Sequence, residues 1–329
     1  MPNKKYLFQK DLVKESEIFF LTGLPKSGTT WLMNILNSSE EICCLGEGRF
    51  FSSDLQNVPS LFDALYEGIR PWHEFIALRK KNWIGLDDYI TTINYQNFLP
   101  SKVTNDSLNK TVDVILHLTL LDVISRAKIK YPRARLVGDK TPVTRPYQLQ
   151  RIIRVFPSTK VIFLYRNVKD FIVSILFHYW RSIRNNRPDS QIKYLTLDDF
   201  LQVENFVNAH DKDDVQFVSE NTGLKLAEIW KELREEALSI KQDFPNNFFL
   251  VSYEKLFEQP VTIARRIFSF LGLNVSLNQV TEFIEKNRIN SIKQSKNSFL
   301  MSHVRNGQVG DWKNYLSEDM SRHIDEYIA

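Results

Sequence analysis

The chain has 329 residues, of which 43% are hydrophobic and 25% are charged, a composition typical of globular proteins. Its net charge of +4 is too small to indicate a nucleic-acid partner, because solvated lysines on helix faces account for such an excess. Residues 1–10 are polar and lead into no long apolar run, so the sequence predicts neither a signal peptide nor a membrane span.

The organisation of the chain is predicted to be simple. No glycine-, proline- or serine-rich linker and no repeat divides it, which predicts one domain over residues 1–329 with a short N-terminal extension, residues 1–16. The two cysteines, Cys43 and Cys44, are adjacent, which disfavours an ordinary disulfide and supplies too few ligands for a metal. A reducing, cytoplasmic location fits this pattern best.

The predicted elements alternate between short apolar strands and helices. Strands are predicted over residues 18–22, 135–138, 161–165 and 248–253, and helices follow the first three over residues 29–37, 147–156 and 169–182. Two longer amphipathic patterns, residues 107–128 and 224–242, predict packing helices, and His117 in the first is expected to be a core residue. This alternation predicts an α/β fold with a central parallel sheet flanked by helices, and ligands at the carboxyl ends of the strands.

The segment after the first strand has the length and glycine placement of a phosphate-binding loop. It reads Gly23-Leu24-Pro25-Lys26-Ser27-Gly28-Thr29-Thr30-Trp31, between a strand and a helix as such a loop requires. Nucleoside triphosphatases have lysine after the second glycine, whereas this chain has Thr29 there and carries its lysine inside the loop at Lys26. That arrangement favours a donor with fewer charges, such as a sulfuryl donor that reacts without a metal. The alternative is a glycine turn with a solvated lysine.

Two later segments contain residues suited to binding phosphate. Arg166 follows the strand of residues 161–165, and Ser174 lies one or two turns inside the next helix, so the pair would hold a second phosphate. The stretch of residues 305–314 combines a basic residue, two glycines and a tryptophan without helical or strand periodicity, which indicates a loop folded over a ligand. The plainer alternatives are a surface arginine, a serine that bonds its own helix, and a C-terminal turn anchored by tryptophan.

Together these segments resemble the sulfotransferases that use 3′-phosphoadenosine-5′-phosphosulfate (PAPS), in particular the cytosolic type. The resemblance runs from about residue 18 to residue 314, with three separated motifs in the family's order. It implies a P-loop-like fold and transfer of a sulfuryl group from PAPS to a hydroxyl acceptor by in-line displacement, with no metal required. The other product would be 3′,5′-adenosine bisphosphate (PAP).

The resemblance also implies a role for each matching residue. Lys26 would contact the bridge of the phosphosulfate and assist the leaving group, Thr29 and Thr30 would bind the 5′-phosphate, and Trp31 the adenine. The other residues implied to bind the donor are Pro25, Ser27 and Gly28 in the loop, Tyr253 and Phe299 near the adenine, and Arg166, Ser174, Arg305 and Gly307 at the 3′-phosphate. Asn306 stands where cytosolic members usually have lysine, which implies one weaker phosphate contact.

The catalytic base departs from the cytosolic pattern. Cytosolic members have a histidine before a proline in the segment that corresponds to residues 138–142, where this chain has Lys140. That lysine is more similar to the tyrosylprotein and bacterial branches, in which it helps to bind the sulfuryl group and a glutamate after the first helix is the base. By this resemblance the base is Glu47, which follows the first predicted helix. His178 is the reserve candidate, and a solvated Glu47 neutralised by Arg49 is the alternative.

The acceptor is left open by the sequence. Aromatic residues between positions 57 and 105 suit either an apolar cover over an acceptor pocket or an ordinary core; they are Trp72, Phe75, Trp83, Tyr89, Tyr95 and Phe98. The predicted partner is a small-molecule or carrier-bound hydroxyl compound, and the oligomeric state and membership of a larger synthase stay open. The rival functions are a P-loop nucleotide kinase, which would need the lysine after Gly28, and a non-catalytic nucleotide-binding scaffold.

Overall fold

The computed structural model describes residues 17–46, 50, 64–65, 67–68, 70, 105–142, 146–185, 195–210, 215–288 and 307–329. The strands are β1 (Ile18–Gly23), β2 (Ile42–Gly46), β3 (Leu136–Lys140), β4 (Lys160–Tyr165) and β5 (Phe248–Ser252). The helices are α1 (Thr29–Leu36), α2 (Asn105–Lys130), α3 (Pro146–Val155), α4 (Val168–Arg184), α5 (Leu197–Asn208), α6 (Glu220–Asp243), α7 (Tyr253–Glu258), α8 (Pro260–Phe270), α9 (Leu277–Lys286) and α10 (Glu318–Ile328).

The five strands form one parallel sheet in the order β2-β3-β1-β4-β5. The first strand of the chain is therefore the central one. At one edge, the last residue of β3, Lys140, pairs with Leu21 of β1 on one side and with Gly46 of β2 on the other. Because the strands are parallel, all of their carboxyl ends lie along this edge. The predicted α/β fold with a central parallel sheet is confirmed.

Alternate residues of the central strands enter two separate hydrophobic cores. In β1, Ile18 and Phe20 belong to one core, and Phe19 and Leu21 belong to the other, all at most 2% exposed. Helices cover both faces, so every residue of β1 is buried, which explains the apolar run of residues 18–21. Side chains from α2, α3, α4 and α6 pack into the first core, and those from α1, α8 and α9 into the second.

Two of the segments assigned from the sequence differ in the structure. Tyr253, predicted as the last residue of a strand, is the first residue of α7, because the Ser252 hydroxyl accepts a hydrogen bond from the Lys255 backbone and caps the helix. Within the stretch of residues 305–314, which has no visible periodicity, Asp311–Asn314 forms a single 3-10 turn. Both elements are too short, six and four residues, to show a hydrophobic period.

The longest helix in the described part of the chain is α2, with 26 residues. Charged residues lie on both sides of an uncharged middle stretch, residues 114–121. No helix among the described residues is both long and apolar enough to cross a membrane.

Candidate functional site

The carboxyl edge of the sheet brings together residues that are distant in sequence. Four of the predicted site residues end or follow strands there: Lys26 after β1, Lys140 at the end of β3, Arg166 after β4 and Tyr253 after β5. Ligands in open parallel sheets bind outside this edge, next to the position where connections leave in opposite directions. Glu47 directly follows Gly46, the last residue of β2, and itself lies outside the described residues.

The loop after β1 has its shape because two positions accept only glycine. Gly23 has a φ of 150°, and a Cβ there would lie 2.0 Å from the Leu164 carbonyl oxygen. Gly28 has a φ of 90°, and a Cβ would lie 2.5 Å from the Tyr253 ring. Lys26 also has a positive φ, 64°, an uncommon conformation for a residue with a side chain and one that clusters at ligand-binding loops. The loop therefore follows a tight path against β4 and α7.

Two features of the loop suit an anion. Gly28 caps α1 without a side-chain hydrogen bond, and the first turn of α1 contains no acidic residue, so its N–H groups and the positive end of its dipole are left for a ligand. The Ser27 hydroxyl is fully buried and has no hydrogen-bond partner among the described residues. Buried polar groups normally have partners, so this hydroxyl fits a ligand oxygen.

Arg166 supplies a second orphaned donor at the same edge. Its side chain is buried, its Nη2 donates to the Gln308 carbonyl oxygen at 2.6 Å, and its guanidinium lies 4.7 Å over the Tyr253 ring. The Asp170 carboxylate is 3.7 Å away, one helical turn on. The Nε of Arg166 is buried and has no hydrogen-bond partner within the described ranges. A fixed guanidinium with a donor to spare is suited to a phosphate.

Tyr253 connects these two parts of the site. Its ring is close to both Gly28 and Arg166, and its hydroxyl donates to the Gly307 carbonyl oxygen at 2.6 Å. Burial raises the pKa of this phenol to about 12, although the Arg166 charge acts in the opposite direction. The hydroxyl is therefore protonated, and a hydrogen-bond donor, throughout the neutral range.

Trp31 completes an aromatic corner beside this tyrosine. The two rings meet edge to face, with centroids 5.8 Å apart and planes at 65°. The indole N–H of Trp31 donates to the Asn287 carbonyl oxygen at 2.9 Å, which fixes the ring at the start of α1. An orientated aromatic pair next to an anion-binding loop has the chemistry needed to bind a purine nucleotide.

The predicted 3′-phosphate residues are only partly within the described ranges. Ser174 is buried on α4, one turn beyond Asp170, and Arg166 precedes the helix by two residues. Gly307 is joined to Tyr253 by the hydrogen bond given above. Phe299, Arg305 and Asn306 lie outside the described residues, as does Glu47.

Lys140 is buried at the end of β3, among polar neighbours. The adjacent Asp139 is also buried, and its carboxylate accepts a hydrogen bond from the Thr141 hydroxyl at 2.7 Å. Burial raises the pKa of the Cys44 thiol well above its ordinary value; the Asp139 charge adds to this and the Lys140 charge opposes it. Cys43 and Cys44 both have free, buried thiols, so Cys44 is a neutral packing residue beside Lys140.

His117 packs against the hydrophobic core, whereas His178 lies on α4 near Ser174. His117 stacks on Phe156 with ring centroids 4.9 Å apart, and its Nδ1 lies 3.4 Å from the Val155 carbonyl oxygen. These contacts fit the predicted packing role. His178 lies on α4, four residues after Ser174, and is partly exposed. Among the residues that the structure describes, no group of three or more histidine, cysteine, aspartate or glutamate side chains is arranged to hold a metal ion.

Sequence reasoning missed Asp170. Both of its carboxylate oxygens accept backbone hydrogen bonds from the C-terminal segment, from the Gly310 N–H at 2.8 Å and the Trp312 N–H at 3.1 Å. An acidic residue in the first turn of a helix is common because it interacts favourably with the helix dipole. That local explanation leaves nothing in the sequence to indicate a partner 140 residues away.

The comparisons with known proteins agree with this geometry. The sulfotransferase domain family matches residues 16–329. The chain belongs to this sulfotransferase family. The chain spans about half the length of several curated relatives that it matches. One of them is cytosolic sulfotransferase 9 of Arabidopsis thaliana, which is 27% identical over 184 residues. That alignment covers 51% of this chain and 49% of the relative. Cytosolic sulfotransferase 1 of the same plant is 23% identical over 335 residues, 98% of this chain and 80% of the relative.

A solved sulfotransferase has a similar fold. The crystal structure of mouse sulfotransferase SULT7A1 complexed with PAP aligns with 96% of this chain and 83% of its own, with a TM-score of 0.50 and 17% sequence identity. The predicted family resemblance is thus confirmed by the family match, and the fold by this likeness.

Proposed function

We propose that this sulfotransferase-family protein transfers a sulfuryl group from PAPS to a hydroxyl acceptor by in-line displacement. The observation that carries the proposal is the pair of buried, unpartnered donors at one edge of the sheet, Ser27 Oγ and Arg166 Nε, for which the described residues offer no acceptor. A nucleotide with anionic groups at its 5′ and 3′ positions would satisfy both. The residues at this edge therefore fit the donor that the family resemblance implies.

The loop and α1 would bind the 5′ side of the donor. Ser27 and Gly28 present a hydroxyl and a helix N-terminus, and Thr29 and Thr30 follow in the first turn. Pro25 and Lys26 complete the loop, and Lys26 would neutralise negative charge on the leaving group. When bound, PAPS supplies an activated sulfuryl group attached to a bisphosphate leaving group.

The second anion site would hold the 3′-phosphate. Arg166 and Ser174 support it from β4 and α4, and Gly307 from the C-terminal segment, with Arg305 and Asn306 expected to join them. Trp31 and Tyr253 would contact the adenine, and Phe299 is predicted to do the same. The likeness in fold to a mouse sulfotransferase complexed with PAP supports this choice of nucleotide.

For the reacting groups we propose Lys140 and Glu47. Lys140, at the end of β3, would bind the sulfuryl oxygens. Glu47 would accept the proton of the acceptor hydroxyl, and chain continuity supports this because it directly follows Gly46, the strand partner of Lys140. His178 is the alternative base.

The wider proposals follow the family and its relatives. We propose a single domain, a small-molecule or carrier-bound hydroxyl acceptor, and a cytoplasmic location, the last supported by the names of the cytosolic relatives. A nucleotide kinase is not favoured, since Thr29, the first residue of α1, stands where a kinase loop would have lysine. A non-catalytic scaffold would bind the donor without turnover.

The test is release of PAP by the purified protein from PAPS in the presence of a panel of hydroxyl acceptors, with EDTA and with Mg²⁺ in parallel. We expect acceptor-dependent release in EDTA that Lys26→Ala lowers by about a hundredfold or more. The matched control is Lys130→Ala, an exposed lysine at the end of α2, next to the amino end of β3. Tight donor binding without release from any acceptor would favour the scaffold, and failure to bind PAPS or PAP would refute the proposal.

The same assay identifies the base. Glu47→Gln is expected to lower kcat by about a hundredfold or more with little change in PAP affinity, and Lys140→Met to lower kcat through loss of charge at the sulfuryl group. His178→Asn is the comparison variant. Loss of turnover in His178→Asn with retention in Glu47→Gln would transfer the role to the histidine.

A further inference from the structure

The C-terminal segment of residues 307–312, called here the strap, is tied to the donor site by four hydrogen bonds from its backbone. The four are Tyr253 Oη to the Gly307 carbonyl at 2.6 Å, Arg166 Nη2 to the Gln308 carbonyl at 2.6 Å, and the N–H groups of Gly310 and Trp312 to Asp170 at 2.8 and 3.1 Å. The strap backbone thus accepts hydrogen bonds from the side chains of Tyr253 and Arg166 and donates hydrogen bonds to the side chain of Asp170.

Asp170 holds the strap in a specific conformation. The residue is 1% exposed, and each of its carboxylate oxygens accepts one strap N–H. Gly310 has a φ of 77°, a left-handed conformation that turns its own N–H and that of Trp312 towards the same side. Alternating right- and left-handed residues form concave sites that bind anions, and here a side-chain carboxylate occupies one.

We propose that Asp170 is a positioning residue for the 3′-phosphate end of the donor site, an inference that rests on the proposed function. Without this carboxylate the strap would lose both N–H contacts with α4. The Gly307 and Gln308 carbonyls would then no longer fix the hydroxyl of Tyr253 and the guanidinium of Arg166. Asp170 would therefore affect the 3′-phosphate through Arg166 and the strap, without contact of its own.

The negative charge of Asp170, taken alone, predicts the opposite effect of an Asp170→Asn change on PAP binding. The proposal can therefore be refuted by the sign of that effect. A carboxylate 3.7 Å from Arg166 competes with a phosphate for the same positive charge. If Asp170 influenced the site by charge alone, Asp170→Asn would tighten PAP binding. If its hydrogen bonds position the strap, the same change weakens PAP binding, because an asparagine amide offers one acceptor oxygen for two N–H donors.

The C-terminal helix offers a matched control. Asp325 on α10 is exposed and accepts a hydrogen bond from Lys169 Nζ at 2.6 Å. Asp325→Asn is the same chemical change in the same region, and it removes an interaction with the residue next to Asp170. Its partner Lys169 reaches the strap only through the ring of Trp312, whose centroid lies 4.4 Å from Lys169 Nζ. Asp325 makes none of the four hydrogen bonds that hold the strap backbone, so its replacement would alter stability without altering the selectivity of the nucleotide site.

The experiment is calorimetric titration of the full chain and its variants with PAP and with 5′-AMP, which lacks the 3′-phosphate. We expect the wild-type protein to prefer PAP, and Asp170→Asn to lower PAP affinity about tenfold or more while changing AMP affinity less than about threefold. Asp325→Asn should leave the ratio of the two affinities unchanged. An unchanged or higher ratio in Asp170→Asn would overturn the proposal.

A second variant covers the case in which Asp170→Asn does not fold. Gly310→Ala leaves the carboxylate in place, and its Cβ would meet nothing within 4 Å, but it disfavours the left-handed conformation that points both N–H groups at Asp170. It should show the same selective loss of PAP affinity, and an unchanged ratio would overturn the proposal. A wild-type protein without any preference for PAP over AMP would instead refute the donor site on which both proposals rest.

Discussion

Replacement of Tyr253 by phenylalanine removes one hydroxyl and leaves the ring that packs against Gly28 and Arg166. The lost hydrogen bond is the one to the Gly307 carbonyl at 2.6 Å. A neutral hydrogen bond contributes about 1 kcal/mol net, and an acceptor left buried without a partner raises the cost to about 1–3 kcal/mol. We therefore expect Tyr253→Phe to lower the free energy of unfolding by about 1–2 kcal/mol at pH 8.

The pH dependence of this difference is specific to Tyr253. Its pKa in the folded protein is about 12, raised from the ordinary value of 10 chiefly by burial. Between these values the folded state binds more protons than the unfolded state, so stability is fully present below pH 10 and is lost as the pH rises towards 12. At pH 11 the loss is about 1.4 kcal/mol, an amount that the phenylalanine variant does not experience.

The assay is urea unfolding of both proteins at pH 8 and pH 11. The wild-type protein should be the more stable at pH 8, and its advantage should shrink by about 1.4 kcal/mol at pH 11. Subtracting the variant removes the contribution of every other group that titrates in this range, because both proteins share those groups. A difference that stays constant between the two pH values would show that the phenol does not have the buried, hydrogen-bonded environment described above.

Two further predictions distinguish a residue of the donor site from a residue that only stabilises the fold. Gly28→Ala places a Cβ 2.5 Å from the Tyr253 ring at a φ of 90°. It should lower the free energy of unfolding by about 1–2 kcal/mol or more and weaken PAP binding at least tenfold. Its control is Gly46→Ala, whose Cβ meets nothing within 4 Å and which should cost less stability by the same urea measurement. Thr159→Val removes a fully buried hydroxyl that donates to the Ile18 carbonyl at 2.6 Å, at the amino ends of β1 and β4. It should cost about 1–3 kcal/mol of stability and leave PAP affinity unchanged by calorimetry; a loss of PAP affinity in Thr159→Val would contradict the separation.

The sheet was predictable because its strands are buried on both faces. In β1 this burial produces the apolar run of residues 18–21, and such short runs, each followed by a helical pattern, identify a parallel sheet. The sheet then determines much of the site. Once the strands are known to be parallel, residues that follow different strands, such as Lys26 and Arg166, are expected at one edge without any knowledge of side-chain contacts.

Several helices were less accessible from hydrophobic periodicity. Helices α5 and α9 each begin at a capping box, Thr196 with Asp199 and Ser276 with Gln279, in which each side chain bonds the other's backbone. The boxes carry Asp or Gln at the third helical position, and both residues are also common in loops. Short helices with such local signals are recognised only when capping is weighed beside hydrophobic period.

The strap contacts have no local signal at all. Arg166 and Gln308 are 142 residues apart in sequence, and the contact uses the backbone carbonyl of Gln308, which every residue type would supply. The contacts of Asp170 likewise leave no signal in the strap sequence, because their donors are backbone N–H groups that nearly every residue type has. Contacts of this kind depend on where the chain returns after the last strand, and residue identity reveals only one of the two partners.

The register of β2 and β3 gives a structural reason why related sulfotransferases would place the base on different strands. The family resemblance implies a histidine at the position of Lys140 in cytosolic members and a glutamate at the position of Glu47 in the other branches. Gly46 and Lys140 are strand partners, so both positions leave the sheet at neighbouring points of the same edge. A proton acceptor supplied from either strand end would start from nearly the same place, and the exchange needs no change in fold. The proposed base, Glu47, and the proposed sulfuryl-binding residue, Lys140, are therefore compatible with one another, because Glu47 directly follows the strand partner of Lys140 in the sequence.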